Sequence, residues 1–208
     1  WHRNLNSVMR DISWDDFTGN NITTEQLGQA MTEISQILGT KVEVYGSDAC
    51  LMGMFEVAGE MSNAVNYFVG SEETEPGPGW PYDGLLARVV GDAKMDGAGV
   101  AKALADEYVK SYDGGTQGTE EVLMSGFNLN ETATMNAAIM GLSQEILALQ
   151  ASDLQKVTKS ASDTLKFYYD DYADFGDFLR NLELNKAVSA QAISAGREAL
   201  QKYVVANV

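Results

Sequence analysis

The chain has 208 residues, 45% hydrophobic and 21% charged, which is enough apolar material for one domain with its own core. Its formal net charge of −16 argues against nucleic acid or an anionic membrane as partner, because both are bound through clusters of Lys and Arg. No apolar run approaches the roughly 20 residues of a membrane span, and any export leader would lie upstream of Trp1. The single cysteine excludes an internal disulfide.

Helices and strands alternate in the first half of the chain. Residues 1–22 are polar and irregular, and a helix then begins at Thr23, which has capping-box spacing with Gln26, and ends at Gly39. The pattern next predicts a strand ending at Gly46, a helix over 51–62 and a buried strand over 67–69. All three prolines fall between Pro76 and Pro81, so that loop belongs to no regular element.

Helices dominate the second half. The periodicity predicts helices over 82–91 and 100–112, a strand over 122–129, and further helices over 131–150, 153–170, 173–183 and 186–205. This order indicates an α/β fold with helices on both sides of a mostly parallel sheet. We expect a single domain over 1–208, with an α/β core portion over 1–130 and a mainly helical portion over 131–208. Because three strands make a thin sheet, we expect the first strands upstream of this chain.

Cys50 lies where a strand gives way to a helix, a position that suits a nucleophile. A helix over 51–62 would place free N–H groups and a positive dipole end beside the sulfur, and both favour the thiolate. The small residues around it leave room for a substrate. The alternative is a buried structural cysteine, which is a common role for this residue type.

Asp48 lies two residues before Cys50, so in extended backbone the two side chains point to the same side. A carboxylate there would by itself raise the pKa of a thiol, which is unfavourable for a nucleophile. The arrangement makes sense if Asp48 binds a cationic side chain, since such a pair at ~4 Å and an effective dielectric near 20 is worth roughly 4 kcal/mol before desolvation. The alternative is an aspartate that accepts hydrogen bonds from the backbone of the turn.

Three strings in this region resemble the clostripain family of cysteine peptidases: Gly-Ser-Asp-Ala-Cys-Leu-Met-Gly-Met-Phe-Glu-Val-Ala over 46–58, Val-Gly-Ser-Glu-Glu over 69–73 and Glu-Pro-Gly-Pro-Gly-Trp-Pro-Tyr over 75–82. The resemblance is weak after about residue 100. It implies a caspase-like three-layer αβα fold and an endopeptidase that cuts after Arg or Lys with a Cys–His dyad.

The resemblance also implies roles for individual residues. Cys50 matches the nucleophile, and Asp48 matches the residue at the base of the primary specificity pocket. Ser71, Glu72 and Trp80 fall in the region that walls this pocket, and we assign them no separate functions. Solvated loop acids and a packed tryptophan are the simpler alternatives for Glu72 and Trp80.

The catalytic histidine is the point where this chain departs from the family. The family carries it upstream of the cysteine in a His-Gly-x-Gly-Trp type motif, whereas the only histidine here, His2, is followed by Arg3. Trp1 fits the end of that motif, which places the histidine just before residue 1. Since the family cleaves itself between histidine and cysteine, we expect a light chain that carries this histidine and stays associated. A truncated chain is the competing explanation.

The resemblance sets the remaining expectations. The protein would be a secreted, periplasmic or cell-surface bacterial enzyme acting on peptides and proteins. Some clostripain-like enzymes depend on calcium, but the spacing of four acids here matches no EF-hand loop, and a solvated helix face is the simpler interpretation: Asp170, Asp171, Asp174 and Asp177. We therefore expect no cofactor, with calcium as the open alternative. The alternative function is a catalytically inactive caspase-like protein that binds basic peptides.

Overall fold

A computed structural model describes residues 11–13 and 15–208. These residues fall into two compact units, one containing the chain up to Asn130 together with Val204–Val208, and the other containing Glu131–Tyr203. The prediction of a single domain is not tested by this division. Among the described helices, none is long and apolar enough to cross a membrane.

Over its described residues, the first unit contains four α-helices and six strands. In chain order they are β1 Asp11–Ile12, β2 Ile22–Thr23, α1 Thr24–Leu38, β3 Val42–Gly46, α2 Phe55–Met61, β4 Val65–Gly70, α3 Tyr82–Gly91, α4 Gly97–Tyr112, β5 Ser125–Asn128 and β6 Val204–Asn207. Strands β1 and β2 form a small antiparallel pair, and the other four strands form one sheet. The α/β class predicted from the sequence is confirmed.

Helix α1 has the ends that the sequence predicts. The Thr23 hydroxyl accepts a hydrogen bond from the Gln26 N–H at 3.2 Å, and the Gln26 side chain accepts one from the Thr23 N–H at 3.0 Å. This capping box satisfies two otherwise unpaired donors at the helix start. The helix ends at Gly39, whose φ of 71° is the left-handed conformation that glycine adopts without strain.

The four-stranded sheet has the order β3-β4-β5-β6, and its pairing is mixed rather than mostly parallel. Strands β3 and β4 are parallel across α2, whereas β4–β5 and β5–β6 are antiparallel. Two successive helices, α3 and α4, return the chain to the edge where β4 ends, so β5 runs in the opposite direction. Hydrophobic periodicity locates strands but does not give their direction, which is why this part of the prediction was wrong.

The two faces of the sheet are distinct. Helix α4 packs across one face, where a core forms from Val69, Trp80, Leu85, Ala101, Leu104, Ala105, Tyr108, Tyr112, Met124 and Ala206. The other face carries the stacked rings of Tyr45, Phe68 and Phe127, whose successive centroids are 5.8 and 6.1 Å apart. Helix α1 packs on α2 and contacts β3. The core thus fixes the carboxyl ends of β3 and β4, from which the candidate site extends.

The second unit is helical and contains α5 Thr132–Leu147, α6 Ala151–Asp163, α7 Phe175–Leu184 and α8 Ala190–Tyr203. Helix α5 packs on α8, and α7 packs on both α6 and α8, around a core of Leu142, Leu179, Leu182, Ala187 and Ile193. The last predicted helix extends too far, because the chain leaves α8 at Tyr203 and enters the sheet as β6. Two consecutive valines, Val204 and Val205, favour that strand.

Candidate active site

Two loops that follow neighbouring parallel strands build the candidate site. The first runs from Ser47 to Met54 after β3, and the second runs from Ser71 to Pro81 after β4. Main-chain hydrogen bonds tie the first loop to the end of β4 and to the second loop: Ser47 N–H to Val69 O at 2.9 Å, Leu51 N–H to Glu73 O at 3.0 Å, and Gly53 N–H to Ser71 O at 2.7 Å. The carboxyl ends of adjacent parallel strands meet at one edge of a sheet, which brings these loops together.

Gly53 allows the two loops to approach this closely. A Cβ atom at this position would lie 2.7 Å from the Gly70 carbonyl oxygen, 2.8 Å from the Ser71 carbonyl carbon and 2.9 Å from the Glu72 nitrogen. These are main-chain atoms that cannot rotate away. The position therefore requires glycine for its lack of a side chain.

The predicted helix behind Cys50 begins later than expected. Helix α2 starts at Phe55, and Cys50 and Leu51 form a turn in which Leu51 has a φ of 59°. The prediction that a helix N-terminus lies directly at the sulfur is therefore wrong. Leu51 is completely buried and its N–H donates a hydrogen bond to the Glu73 carbonyl. Packing and this hydrogen bond therefore hold Leu51 in a left-handed conformation that is unfavourable for leucine.

Cys50 is a free, buried cysteine whose side chain lies against the second loop. The Glu75 N–H donates a hydrogen bond to its sulfur at 3.2 Å, and the thiol donates to the Glu75 carbonyl oxygen at 3.8 Å. Among the described residues, no hydrogen-bond acceptor is recorded for the main-chain N–H of Cys50. That donor is free to bind a developing negative charge on a substrate.

Asp48 is half-buried and faces the same second loop. Its Oδ2 atom accepts hydrogen bonds from the Tyr82 hydroxyl at 2.8 Å and from the Trp80 N–H at 3.4 Å. Gly79 lies against this carboxylate, since a Cβ there would be 3.0 Å from both of its oxygens. Burial, followed by the hydrogen bond to Asp48, raises the pKa of Tyr82 to about 12. The hydrogen bond from the Trp80 N–H fits the alternative in which Asp48 accepts from loop backbone, and its place at the base of a specificity pocket stays a prediction.

Glu75 joins the two predicted residues. Its main chain contacts the Cys50 sulfur, while its Oε2 atom accepts a hydrogen bond from the Trp80 indole N–H at 3.0 Å. Its carboxyl group is also a hydrogen-bond partner of Asp48. Burial first, and then the neighbouring Asp48, raise the pKa of Glu75 from 4.5 to about 9. Glu75 therefore keeps its proton at neutral pH, since a second negative charge beside Asp48 would be costly.

Trp80 does more than pack. It is 6% exposed, its main-chain N–H binds Asp48 and its ring N–H binds Glu75. The edge of its ring lies beside Gly46, where a Cβ would be 2.8 Å from the ring atom Cη2. The packing alternative for Trp80 is therefore only part of its role, because its main chain binds one acid and its ring binds the other.

Ser71 and Glu72 occupy the start of the second loop. Ser71 is buried, and its hydroxyl accepts a hydrogen bond from the Glu73 N–H at 3.0 Å while its carbonyl binds Gly53. Glu72 is half-buried rather than fully solvated. Ser71 thus holds the shape of the loop, and its contact with a substrate stays a prediction.

A sequence profile of the clostripain family matches residues 1–206 of the chain. The chain belongs to the clostripain family. This family and its solved members are cysteine peptidases, so this clostripain-family protein is an enzyme of the hydrolase class. No curated protein sequence matches it.

Solved structures share the fold of this clostripain-family chain. A clostripain from Bacteroides thetaiotaomicron, in complex with the peptide inhibitor BTN-VLTK-AOMK, is 15% identical with a TM-score of 0.64, over 89% of this chain and 74% of that one. A secreted C11 cysteine protease from the same species, with an irreversible peptide inhibitor, is 19% identical with a TM-score of 0.69, over 95% and 51%. A B. fragilis cysteine protease is 19% identical with a TM-score of 0.62, over 95% and 77%. The caspase-like fold expected from the resemblance is confirmed.

The predicted base lies outside this geometry. His2 and Trp1 are not among the described residues, and the sequence contains no other histidine. The prediction of a histidine upstream of Trp1 is therefore not tested by the structure.

The acidic cluster of the second unit has local structural uses. The Asp174 side chain caps α7, and Asp177 accepts a hydrogen bond from the Leu165 N–H at 2.8 Å. That hydrogen bond is the main cause of the lowered pKa of Asp177. Within the described part of the chain, no group of three or more His, Cys, Asp or Glu side chains could hold a metal ion. Calcium dependence stays an untested prediction.

Sequence reasoning assigned no role to Glu75 or Tyr82, and it gave Gly53 only the role of leaving room for a substrate, whereas the structure places all three in the framework of the site. Each stands inside a string that resembles the family, so that resemblance was the available signal. Local periodicity could not have found Glu75, because its contacts with Cys50 and Asp48 form only when two loops about 25 residues apart close on each other.

Proposed function

We propose that this protein is a cysteine endopeptidase that cleaves after Arg or Lys, with Cys50 as nucleophile and Asp48 as the anion at the base of the specificity pocket. The observation that carries the proposal is that Cys50 and Asp48 share a neighbour. Glu75 contacts the Cys50 sulfur through its main chain and Asp48 through its carboxyl group. Since the described residues give neither acid a salt bridge, a cationic ligand has an unpaired anion to bind.

Cys50 attacks the scissile carbonyl carbon in the proposed reaction, and a histidine upstream of Trp1 accepts the thiol proton and delivers it to the leaving amine. The main-chain N–H of Cys50 donates to the oxyanion. The thiol and the Glu75 main chain are in contact, so the second loop moves away from the sulfur when a peptide binds. A relative crystallised with a peptide inhibitor supports a peptide substrate for this chain.

Activation by self-cleavage into two associated chains, and export from a bacterium, belong to the same proposal. A secreted relative and a relative described as an inactive zymogen, from Parabacteroides distasonis, support these two steps. The residues just upstream of Trp1 test the source of the base. A His-Gly motif there favours the peptidase, whereas its absence favours the inactive protein that binds basic peptides.

Replacement of Asp48 by Asn tests the specificity. The variant keeps the side-chain shape and loses the charge, so kcat/KM for a peptide ending in Arg should fall on the order of 100-fold, or about 3 kcal/mol. Alkylation of Cys50 by uncharged iodoacetamide should keep its rate within about threefold. Equal losses in the two assays would show that Asp48 is structural and would overturn the assignment.

A further inference from the structure

Glu75 has an unusual environment for a carboxyl group. Its Oε2 atom accepts a hydrogen bond from Trp80, whereas its Oε1 atom is fully buried and no donor among the described residues reaches it. An ionised carboxylate would leave that oxygen unsolvated and unpaired, which is costly. A proton shared with Asp48 removes the problem, because a carboxylic acid can donate to the neighbouring carboxylate.

The described groups around this pair supply no positive charge. The titratable side chains near Glu75 are a carboxylate, a thiol and phenols from three places: Asp48 and Cys50 of the first loop, Tyr82 at the start of α3, and Tyr108 and Tyr112 of α4. Tyr108 is completely buried, no described group bonds its hydroxyl, and its pKa is raised by burial and then by the charge of Glu75. Among the described residues, no cationic side chain neutralises the two carboxyl groups, so a proton between them is what relieves their repulsion.

We propose that Glu75 is a second specificity-determining residue, and that the cationic side chain of a substrate displaces the proton that Glu75 and Asp48 share in the free pocket. The inference rests on the proposed function. On binding, the guanidinium or ammonium group enters, Glu75 loses its proton to solvent, and both carboxylates become ionised around one cation. The pocket carries one net negative charge before and after, so the step conserves charge.

This exchange favours cationic side chains over neutral ones of similar size. A neutral side chain cannot displace the proton, and it would have to bind against a carboxyl pair that is already satisfied. A cation replaces the proton as the partner of both acids. Because the proton competes with the ligand, binding strengthens as pH rises, by up to about tenfold per pH unit, until the free pair loses its proton near pH 9.

Calorimetry of a full-length Cys50→Ala variant tests the exchange without turnover. The probe is Nα-acetyl-arginine amide, with the citrulline analogue as its neutral control. Titrations at about pH 7.5 in phosphate and in Tris, which differ in ionisation enthalpy, should show about 0.5–1 proton released per arginine probe bound. The Kd should fall by about fivefold to tenfold per unit between about pH 6.5 and pH 8.5.

Glu75→Gln in the same background isolates the residue. Proton release should fall to nearly zero and the pH dependence should flatten, whereas the exposed control Glu121→Gln should behave as the parent. Arginine binding with equal heats in both buffers would overturn this inference and leave the proposed function intact. If the arginine probe binds no better than the citrulline probe at any pH, both the specificity and this inference are wrong.

Discussion

Glu75→Gln should make folding stability less dependent on pH. The native protein holds a proton on Glu75 up to about pH 9, whereas the unfolded chain releases it near 4.5. The folded state thus binds more protons than the unfolded state between these values, so the free energy of unfolding falls as pH rises through that window and is level above it. Glutamine cannot titrate, and its variant lacks this slope.

The size of the effect follows from the two pKa values. One pKa unit corresponds to about 1.4 kcal/mol, so between about pH 6 and about pH 8.5 the native protein should lose about 3 kcal/mol through this group. Because the side chain is half-buried rather than fully enclosed, solvent reduces the loss toward about 2 kcal/mol. Few other groups titrate in that interval, since the sequence has one histidine and one cysteine.

Urea denaturation followed by tryptophan fluorescence at about pH 6 and about pH 8.5 measures the slope. The native protein and the exposed control Glu121→Gln should show the same fall, and Glu75→Gln should show at least about 2 kcal/mol less. Equal slopes in the native protein and in Glu75→Gln would show that Glu75 is ionised in the folded state. That result would refute the reasoning behind the shared proton.

Two further predictions concern the framework of the site. Gly53→Ala places a methyl group within 3 Å of main-chain atoms of the second loop, and it should cost about 1–3 kcal/mol of unfolding free energy and most of the peptidase activity. The control is Gly59→Ala, which lies in α2 and has nothing within 4 Å of the new Cβ; its unfolding free energy should be unchanged or higher in the same urea assay. An unchanged unfolding free energy for Gly53→Ala would show that the two loops can separate without loss of stability. Thr23→Ala removes one half of the capping box and should cost about 1 kcal/mol by urea denaturation, with peptide cleavage unchanged; a stability loss below about 0.3 kcal/mol would contradict the capping role.

The parts of the fold that local chemistry decides could be predicted from the sequence. The limits of α1 follow from Thr23 and Gly39, and β3 ends at Gly46 as its alternation indicates. The start of α2 could not be predicted from periodicity, because Met52 and Gly53 continue the apolar pattern of the helix. In the structure the Gly53 N–H instead donates a hydrogen bond to the Ser71 carbonyl of the second loop. Tertiary hydrogen bonding overrides helical periodicity there.

The candidate site divides in the same way. Spacing alone suggested that Asp48 and Cys50 face one cleft, since both lie in the short loop after β3. The partner of Asp48 could not be found from charge, because attraction between opposite charges predicts a basic partner and the structure supplies Glu75. The two acids can lie together because Glu75 is protonated. Its pKa is raised mainly by burial, and that burial exists only once the two loops have packed against each other.

Covalent labelling of the full-length protein tests the central claim, that Cys50 is the nucleophile beside an acidic pocket. A peptide acyloxymethyl ketone ending in arginine should add once per molecule, peptide mapping should place the adduct on Cys50, and Cys50→Ala should show neither labelling nor cleavage of peptides after Arg or Lys. The same reagent ending in citrulline should label on the order of 100-fold more slowly. Labelling at another residue, undiminished cleavage by Cys50→Ala, or equal rates for the two reagents would contradict the account.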